Sequence, residues 1–322
     1  MGNLNLNKKW ELLGNEVIKN GYKALRINAT CIPELFIGLD SVNQPCLLLF
    51  TEEHVDFDFK GSVKEKISLS LNMPNHTLII ELKDSNYIDL FNDLILSIYN
   101  RVYKISDKKT CIQEFVHFFY KWSEFFEEPV KNRLSNEQVK GIIGELHYLR
   151  EILESSKPEI VDIVLESWLG PYETSNDFVW DEKNVEIKTK DISSSLIRIS
   201  SEFQLLVQPL KTLELVVISV ITDYINGLSL RDSITICSQL IRELFGNISI
   251  FLKALRQIGL SPESSIDYDN LKFRIVQLNS YDCSSEIFPR LTTQNIPVGI
   301  SNLKYSLNTS AIADFLTRET KY

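Results

Sequence analysis

No stretch of this 322-residue chain approaches the run of about 18 to 20 apolar residues that a membrane-spanning helix requires, so no membrane span or membrane partner is expected. The first residues, Met1-Gly-Asn-Leu-Asn-Leu-Asn-Lys-Lys9, hold no apolar segment of the secretory kind, and the expected location is the cytoplasm. Cysteine is scarce and scattered. Cys31, Cys46, Cys111, Cys237 and Cys283 are odd in number, far apart and never in a C-x-x-C, which argues against a disulfide framework and against a zinc site. The histidines, His54, His76, His117 and His147, show no ligand spacing either. Basic residues are outnumbered, 34 Lys and Arg against 43 Asp and Glu. With a net charge of −9 and a pI near 5.2, the chain is unsuited to coating nucleic acid indiscriminately, because phosphate affinity depends on Lys and Arg contacts. There is no internal repeat and no low-complexity tract.

What remains is a globular composition. At 44% hydrophobic residues and a mean hydropathy of −0.06, the chain can bury one large core or two modest ones. Residues 1–105 read as an antiparallel sheet with a helix: strands at 22–28, 35–39, 46–50, 55–59, 67–71 and 77–82, then a helix at 87–102. Residues 111–127 form an aromatic amphipathic helix, expected to pack two halves together. The nearly continuous apolar run at 213–222 suits a strand buried on both faces. Paired helices at 232–245 and 248–258, a strand at 271–278 and a closing helix at 310–318 complete the reading. The fold class expected is α/β (α+β): a β-rich part over 1–105 for recognition, dimerisation or docking, a mixed-sheet core over 106–222, and an α/β extension over 223–322.

The most informative stretch is Ser175-Asn-Asp-Phe-Val-Trp-Asp-Glu-Lys-Asn-Val-Glu-Ile-Lys-Thr-Lys190. Residues 177–180 and 185–189 are rich in strand formers and 181–184 is turn-like, which predicts an antiparallel hairpin. With the turn closing over Glu182 and Lys183, Val179 would lie opposite Glu186 and Asp177 opposite Lys188. Period-two alternation then puts Asp177, Val179, Glu186 and Lys188 on one face and Phe178, Trp180, Val185, Ile187 and Thr189 on the other. One face is acidic with a lysine, the other is core. Hard cations such as Mg²⁺ take oxygen ligands and need only one or two protein carboxylates. Asp177 and Glu186 supply those carboxylates, the Ile187 carbonyl offers a further oxygen, and Lys188 is placed to orient or deprotonate a water or to offset phosphate charge.

Upstream, Ser135-Asn-Glu-Gln138 fits a capping box that opens a helix over 135–154. Ile142, Leu146, Leu149 and Leu153 recur at helical spacing, and Glu145 sits on the edge of that stripe. A carboxylate there either reaches outward or meets a cation, and a metal held by Asp177 would serve. Gly141 and Gly144 would let a sheet approach. His147, two residues on, points away from Glu145. Other carboxylate and lysine pairs exist: Glu81-Leu-Lys83 ends an apolar strand, and His54, Asp56, Asp58 and Lys60 alternate with Val55, Phe57 and Phe59. Neither follows an amphipathic helix with a glutamate on its edge, and a plain wet face of an antiparallel sheet accounts for both.

Gly144-Glu-Leu-His-Tyr-Leu149, Asn176-Asp177, Val185-Glu-Ile-Lys-Thr189 and Ile199-Ser-Ser-Glu-Phe-Gln-Leu205 together resemble the PD-(D/E)XK nuclease superfamily, and in particular its prokaryotic restriction-associated members. The resemblance covers residues 135–222, with a looser extension to Phe288-Pro-Arg-Leu291 and to 296–300. It departs at one place, where Asn176 stands for the proline before the aspartate. What it implies is an α-β-β-β-α-β core and Mg²⁺-dependent cleavage of DNA phosphodiesters, with Mn²⁺ as a substitute metal, in restriction or phage defence. By position Glu145 corresponds to the helix glutamate, Asp177 to the hairpin aspartate, and Glu186 and Lys188 to the (D/E)XK pair. Gln204 would project from a short helix at 202–206 toward the metal.

DNA contacts are expected from basic and hydroxyl groups around this site. Lys131, Arg133, Lys140, Lys190 and Arg198 flank it, and Ser200 lies just before the 202–206 helix, where hydroxyls and arginine suit phosphate. A homodimer, or defence partners such as a methyltransferase or an ATPase, would compensate for the acidity of the chain. The rival reading is an inactive nuclease-like module that holds DNA or a partner without cutting.

Overall fold

The computed structural model describes residues 4–14, 19–51, 61–127 and 133–322. The chain divides into two compact units, residues 1–128 and 129–322. The strand expected at 55–59, with His54, Asp56, Asp58 and Lys60, lies outside the described residues, as does Lys131.

The first unit opens with helix α1 (Leu6–Leu13) and continues through strands β1 (Lys23–Arg26), β2 (Leu35–Leu39), β3 (Pro45–Phe50), β4 (Ser62–Val63), β5 (Ile67–Asn72) and β6 (Thr77–Leu82). They form one antiparallel sheet in the order β1-β2-β3-β6-β5-β4. The apolar strands β3 and β6 lie inside it, and Glu81 sits mid-sheet opposite Cys46 and Ser68, an ordinary sheet position. Helices α2 (Ile88–Val102) and α3 (Lys108–Ser123) pack on one another. Asp107 caps α3 by accepting from the Thr110 N–H, and Phe115, Phe119 and Trp122 are buried.

The second unit is built on a mixed sheet. Its elements are α4 (Asn136–Ser155), α5 (Val161–Ser167), β7 (Phe178–Val179), β8 (Lys183–Asp191), β9 (Leu196–Ile199), β10 (Thr212–Thr222), α6 (Leu230–Glu243), α7 (Ile248–Gln257), β11 (Phe273–Asp282), β12 (Tyr305–Asn308) and β13 (Leu316–Lys321). The strand order is β13-β11-β10-β8-β7, with β8 and β10 parallel and every other pair antiparallel. A mixed α+β architecture is thus observed. The expected unit boundaries at 105 and 222 do not coincide with the division at 128: α3 packs on α2, and β10 pairs with β11 across 222.

Strand β10 is buried from Leu213 through Val220 apart from Glu214, as its apolar run requires. One face of the sheet, with Leu213, Leu215 and Val217, packs with Ile197, Ile199, Leu205, Phe288 and Leu307 around the β9–β12 ribbon. Helix α4 approaches β8 and pairs with α6. Its capping box is present as the sequence suggests, Ser135 and Gln138 each accepting from the other's backbone N–H. Gly144 is where the helix meets the strand: a Cβ there would overlap Thr189 Oγ1. Gly141, in contrast, faces open space.

Two expected helices differ. Residues 202–205 form a turn, closed by the Ser200 N–H donating to Gln204 Oε1 at 2.8 Å. The closing helix at 310–318 is a 3₁₀ segment, Thr309–Phe315, followed by the edge strand β13. Its threonines and charges, Leu316-Thr-Arg-Glu-Thr-Lys321, suit an exposed edge strand better than a helix end.

Candidate active site

The hairpin carrying the site is shorter than its sequence suggests. Trp180 N–H donates to the Lys183 carbonyl at 2.8 Å, so the turn spans Asp181 and Glu182. The register is Phe178 opposite Val185 and Val179 opposite Asn184, two residues from the expected pairing. A one-residue slip would have exchanged the faces, whereas a slip of two keeps every side chain on its own. Asp177, Glu186 and Lys188 therefore share a face.

Because β7 has only two residues, β8 loses its ladder partner at Ile187. The side chain of Asp177 takes the vacant role, its Oδ2 accepting from the Ile187 N–H at 2.7 Å. The Asp177 backbone is fixed as well: its N–H donates to the Val185 carbonyl at 3.1 Å, and its carbonyl accepts from Leu169 and Gly170 at 2.8 and 2.9 Å. Glu186 is 1% exposed, a buried carboxylate between the buried apolar side chains of Val185 and Ile187. Lys188 Nζ donates to its Oε1 at 2.6 Å, and Asn176 Nδ2 lies 3.4 Å from its Oε2. Glu145 reaches in from α4, held through Oε2 by the indole N–H of Trp168 at 2.8 Å.

Electrostatics tie these groups together. Burial, then the charge of Asp177, raise Glu145 well above the carboxylate range. Burial raises Asp177 too, against the pull of Lys188 and the Ile187 N–H. Glu186 is pushed up to about 8 by burial and by Asp177. Burial alone would lower Lys188, but Glu186, Asp177 and Glu145 outweigh it and its pKa is raised. Three carboxylates, Glu186 buried and the other two half-buried, thus share one ammonium, and their raised pKa values mark a crowding of negative charge that a proton or a further cation relieves. Oxygen donors suit a hard divalent ion, and Asp177 Oδ1 and Glu145 Oε1 accept no hydrogen bond among the described residues. Among those residues no three His, Cys, Asp or Glu side chains close on one metal position. The set therefore fits an ion held by two carboxylates plus carbonyl and water oxygens, not a closed protein cage.

Three residues with no mark in the spacing of the motif, or only a departure from it, complete the site. A Cβ on Gly170 would lie 2.5 Å from Glu145 Oε2 and 3.0 Å from Asp177 Oδ1, so only glycine leaves room for both carboxylates. Trp168, buried, stacks on Phe251 at 5.7 Å while presenting its N–H to Glu145. Asn176, in the proline position, is 1% exposed; it donates to the Gln204 carbonyl at 2.8 Å and accepts from Asn184 Nδ2 at 3.2 Å. Its place beside Asp177 was the one signal available; nothing in the spacing singles out Trp168 or Gly170.

The candidate DNA contacts are arranged unequally. Arg198 and Ser200 are exposed, Arg198 on the outer face of β9 between buried Ile197 and Ile199. Lys190 donates to the Ser194 carbonyl at 2.7 Å. Lys140 is 6% exposed and paired with Glu137 and Asp191, at 2.9 and 3.0 Å. Gln204 spends its side-chain oxygen on the Ser200 N–H and meets the site only through its carbonyl on Asn176.

A family profile described as "Putative PD-(D/E)XK family member, (DUF4420)" matches residues 6–310. The chain belongs to this family. No curated protein and no solved structure matches it. The PD-(D/E)XK character of the family points to a nuclease-like function and to use of a divalent metal, and its match spans the α4 glutamate, the hairpin aspartate and the Glu186-Ile-Lys188 triplet alike. No helix among the described residues is long and apolar enough to cross a membrane.

Proposed function

We propose that the protein is a metal-dependent endonuclease that hydrolyses DNA phosphodiester bonds, acting in restriction or phage defence in a prokaryotic cytoplasm. The supporting observation is the meeting of buried Glu186 and half-buried Asp177 and Glu145 with a single lysine, Lys188. Asp177 and Glu186, with the Ile187 carbonyl, hold Mg²⁺ or Mn²⁺. When bound, that ion supplies Lewis acidity at the scissile phosphate and lowers the pKa of a coordinated water. Glu145 supports the site from α4, anchored by Trp168. The carboxylates around Lys188 raise its pKa and keep it protonated; it orients the attacking water and offsets charge on the phosphate. Arg198, Ser200 and Lys190 contact the DNA backbone. Lys140 and Gln204 act indirectly, by holding Asp191 and the 200–204 turn. The first unit serves recognition, self-association or docking of a methyltransferase or ATPase partner.

The test is incubation of supercoiled plasmid, methylated and unmethylated, with the protein in Mg²⁺, Mn²⁺ or EDTA, beside Asp177→Ala. Nicking or linearisation that needs metal and disappears in the variant is expected. DNA binding with no product under any condition would replace the enzyme by a binding module, and full activity in Glu186→Ala or Lys188→Ala would overturn the residue assignment.

A further inference from the structure

Helix α4 also lines a cavity of about 310 Å³ in the second unit, together with α6, β11 and the residue after β13. His147 and Arg150 contribute from α4, Ile236 from α6, Phe273 and Arg274 from β11, and Tyr322 closes one side. His147 is two residues from Glu145, about 200° round the helix, so the cavity is on a different face from the carboxylates. Its volume is at the small end of the range for ligand pockets, about 300–1,000 Å³.

The polar groups on its walls are not used up. His147 Nε2 is buried and has no hydrogen-bond partner among the described residues. Buried polar atoms are nearly always paired, so an unpaired ring nitrogen on a cavity wall asks for an occupant. Arg150 engages Glu154 through Nε alone, at 2.7 Å, and Arg274 engages Asp223 through Nε alone, at 3.0 Å. The terminal nitrogens of both guanidinium groups make no hydrogen bond among the described residues. Two planar donor forks beside an apolar wall match a carboxylate geometrically, and that wall includes Phe273 and the Tyr322 ring, which meets the His147 ring at 5.0 Å in a T-shaped contact.

We propose that this cavity is a second ligand site that binds a small organic carboxylate with a flat apolar body, its oxygens on Arg150 and Arg274 and its edge on His147. The site is independent of the nuclease reading and is testable in its absence.

The experiment uses the full chain in EDTA, titrated calorimetrically with benzoate and with its neutral isostere benzamide. Benzoate is expected to bind at least about tenfold more tightly than benzamide, the worth of a charge-assisted contact. Arg150→Gln combined with Arg274→Gln should abolish that preference, and Ile236→Trp, which fills the cavity, should abolish binding of both while circular dichroism stays native. The two arginines are part-exposed, so the double variant still decides the matter if Ile236→Trp fails to fold. Absence of benzoate binding, equal affinity for benzamide, or undiminished binding in the double variant would each overturn the proposal.

Discussion

Asp177, Glu145 and Glu186 are chemically alike yet are held by three different donors: a strand N–H, an indole and an ammonium. Each donor fixes one oxygen and leaves the carboxyl group aimed. Gly170 is the tightest constraint on this arrangement. Gly170→Ala should cut cleavage by more than about tenfold, because sub-ångström displacement of reacting groups is costly, while destabilising by about 1–3 kcal/mol as an overpacked site. Plasmid kinetics beside a thermal melt would separate the two effects, and an unchanged rate would remove Gly170 from the site. Trp168→Phe keeps the ring against Phe251 but deletes the donor to Glu145. About 1–3 kcal/mol of stability and a larger share of activity should be lost, measured by denaturant unfolding and by the same assay. That Asp177, Glu186 and Lys188 share a face could be read from period-two alternation alone. Trp168 and Gly170 could not, since their partners are 23 residues away, from Trp168 to Glu145, or seven, from Gly170 to Asp177, across an irregular segment.

Among the elements, strand β7 decides most by being short. Ending after Val179, it leaves the Ile187 N–H for a side chain, which turns a sheet edge into a site. Periodicity predicts a longer hairpin because Trp180 and Asp177 look like strand residues; what stops the ladder is the contact of Asp177 with the 169–170 backbone, a nonlocal competitor. The turn at 202–205 was legible only as helix for a similar reason. Glu202 accepts from the Leu303 and Asn302 N–H groups at 3.0 and 3.2 Å, tying it to a distant loop. The bond from its own backbone N–H first, and then these two, hold its pKa below the ordinary 4.5 against the effect of burial. A carboxylate lowered in the folded state contributes stability above its unfolded pKa and loses it as pH falls through the folded value. Glu202→Gln should therefore melt earlier than the wild type at neutral pH, and the gap should close as pH drops below 4.5. A gap that persists in acid would mean that charge on Glu202 is irrelevant to the loop.

Taken as one chain, the protein carries a charge of −9, and in its second unit Glu145, Asp177 and Glu186 face a single ammonium, that of Lys188. A cation that binds only the folded state stabilises it by mass action, about 2.7 kcal/mol at a hundred times its dissociation constant. Mg²⁺ should accordingly raise the melting temperature of the wild type and leave that of Asp177→Ala unmoved. This calorimetric readout needs no substrate, and equal shifts in both proteins would place the binding elsewhere.

Local chemistry alone was enough for the elements whose pattern is strong. The capping box and stripe of α4, the double-buried run of β10 and the alternating faces around Glu186 and Lys188 follow from side-chain periodicity and from the cost of burying unpaired polar groups. Tertiary structure decided the two-residue slip of the hairpin, the burial of Lys140 against Asp191, the strand at 316–321, and the meeting of Trp168 and Gly170 with Glu145. Each of these depends on a partner far along the chain, and a sequence read residue by residue carries no term for the energy of contacts that exist only once the sheet has closed.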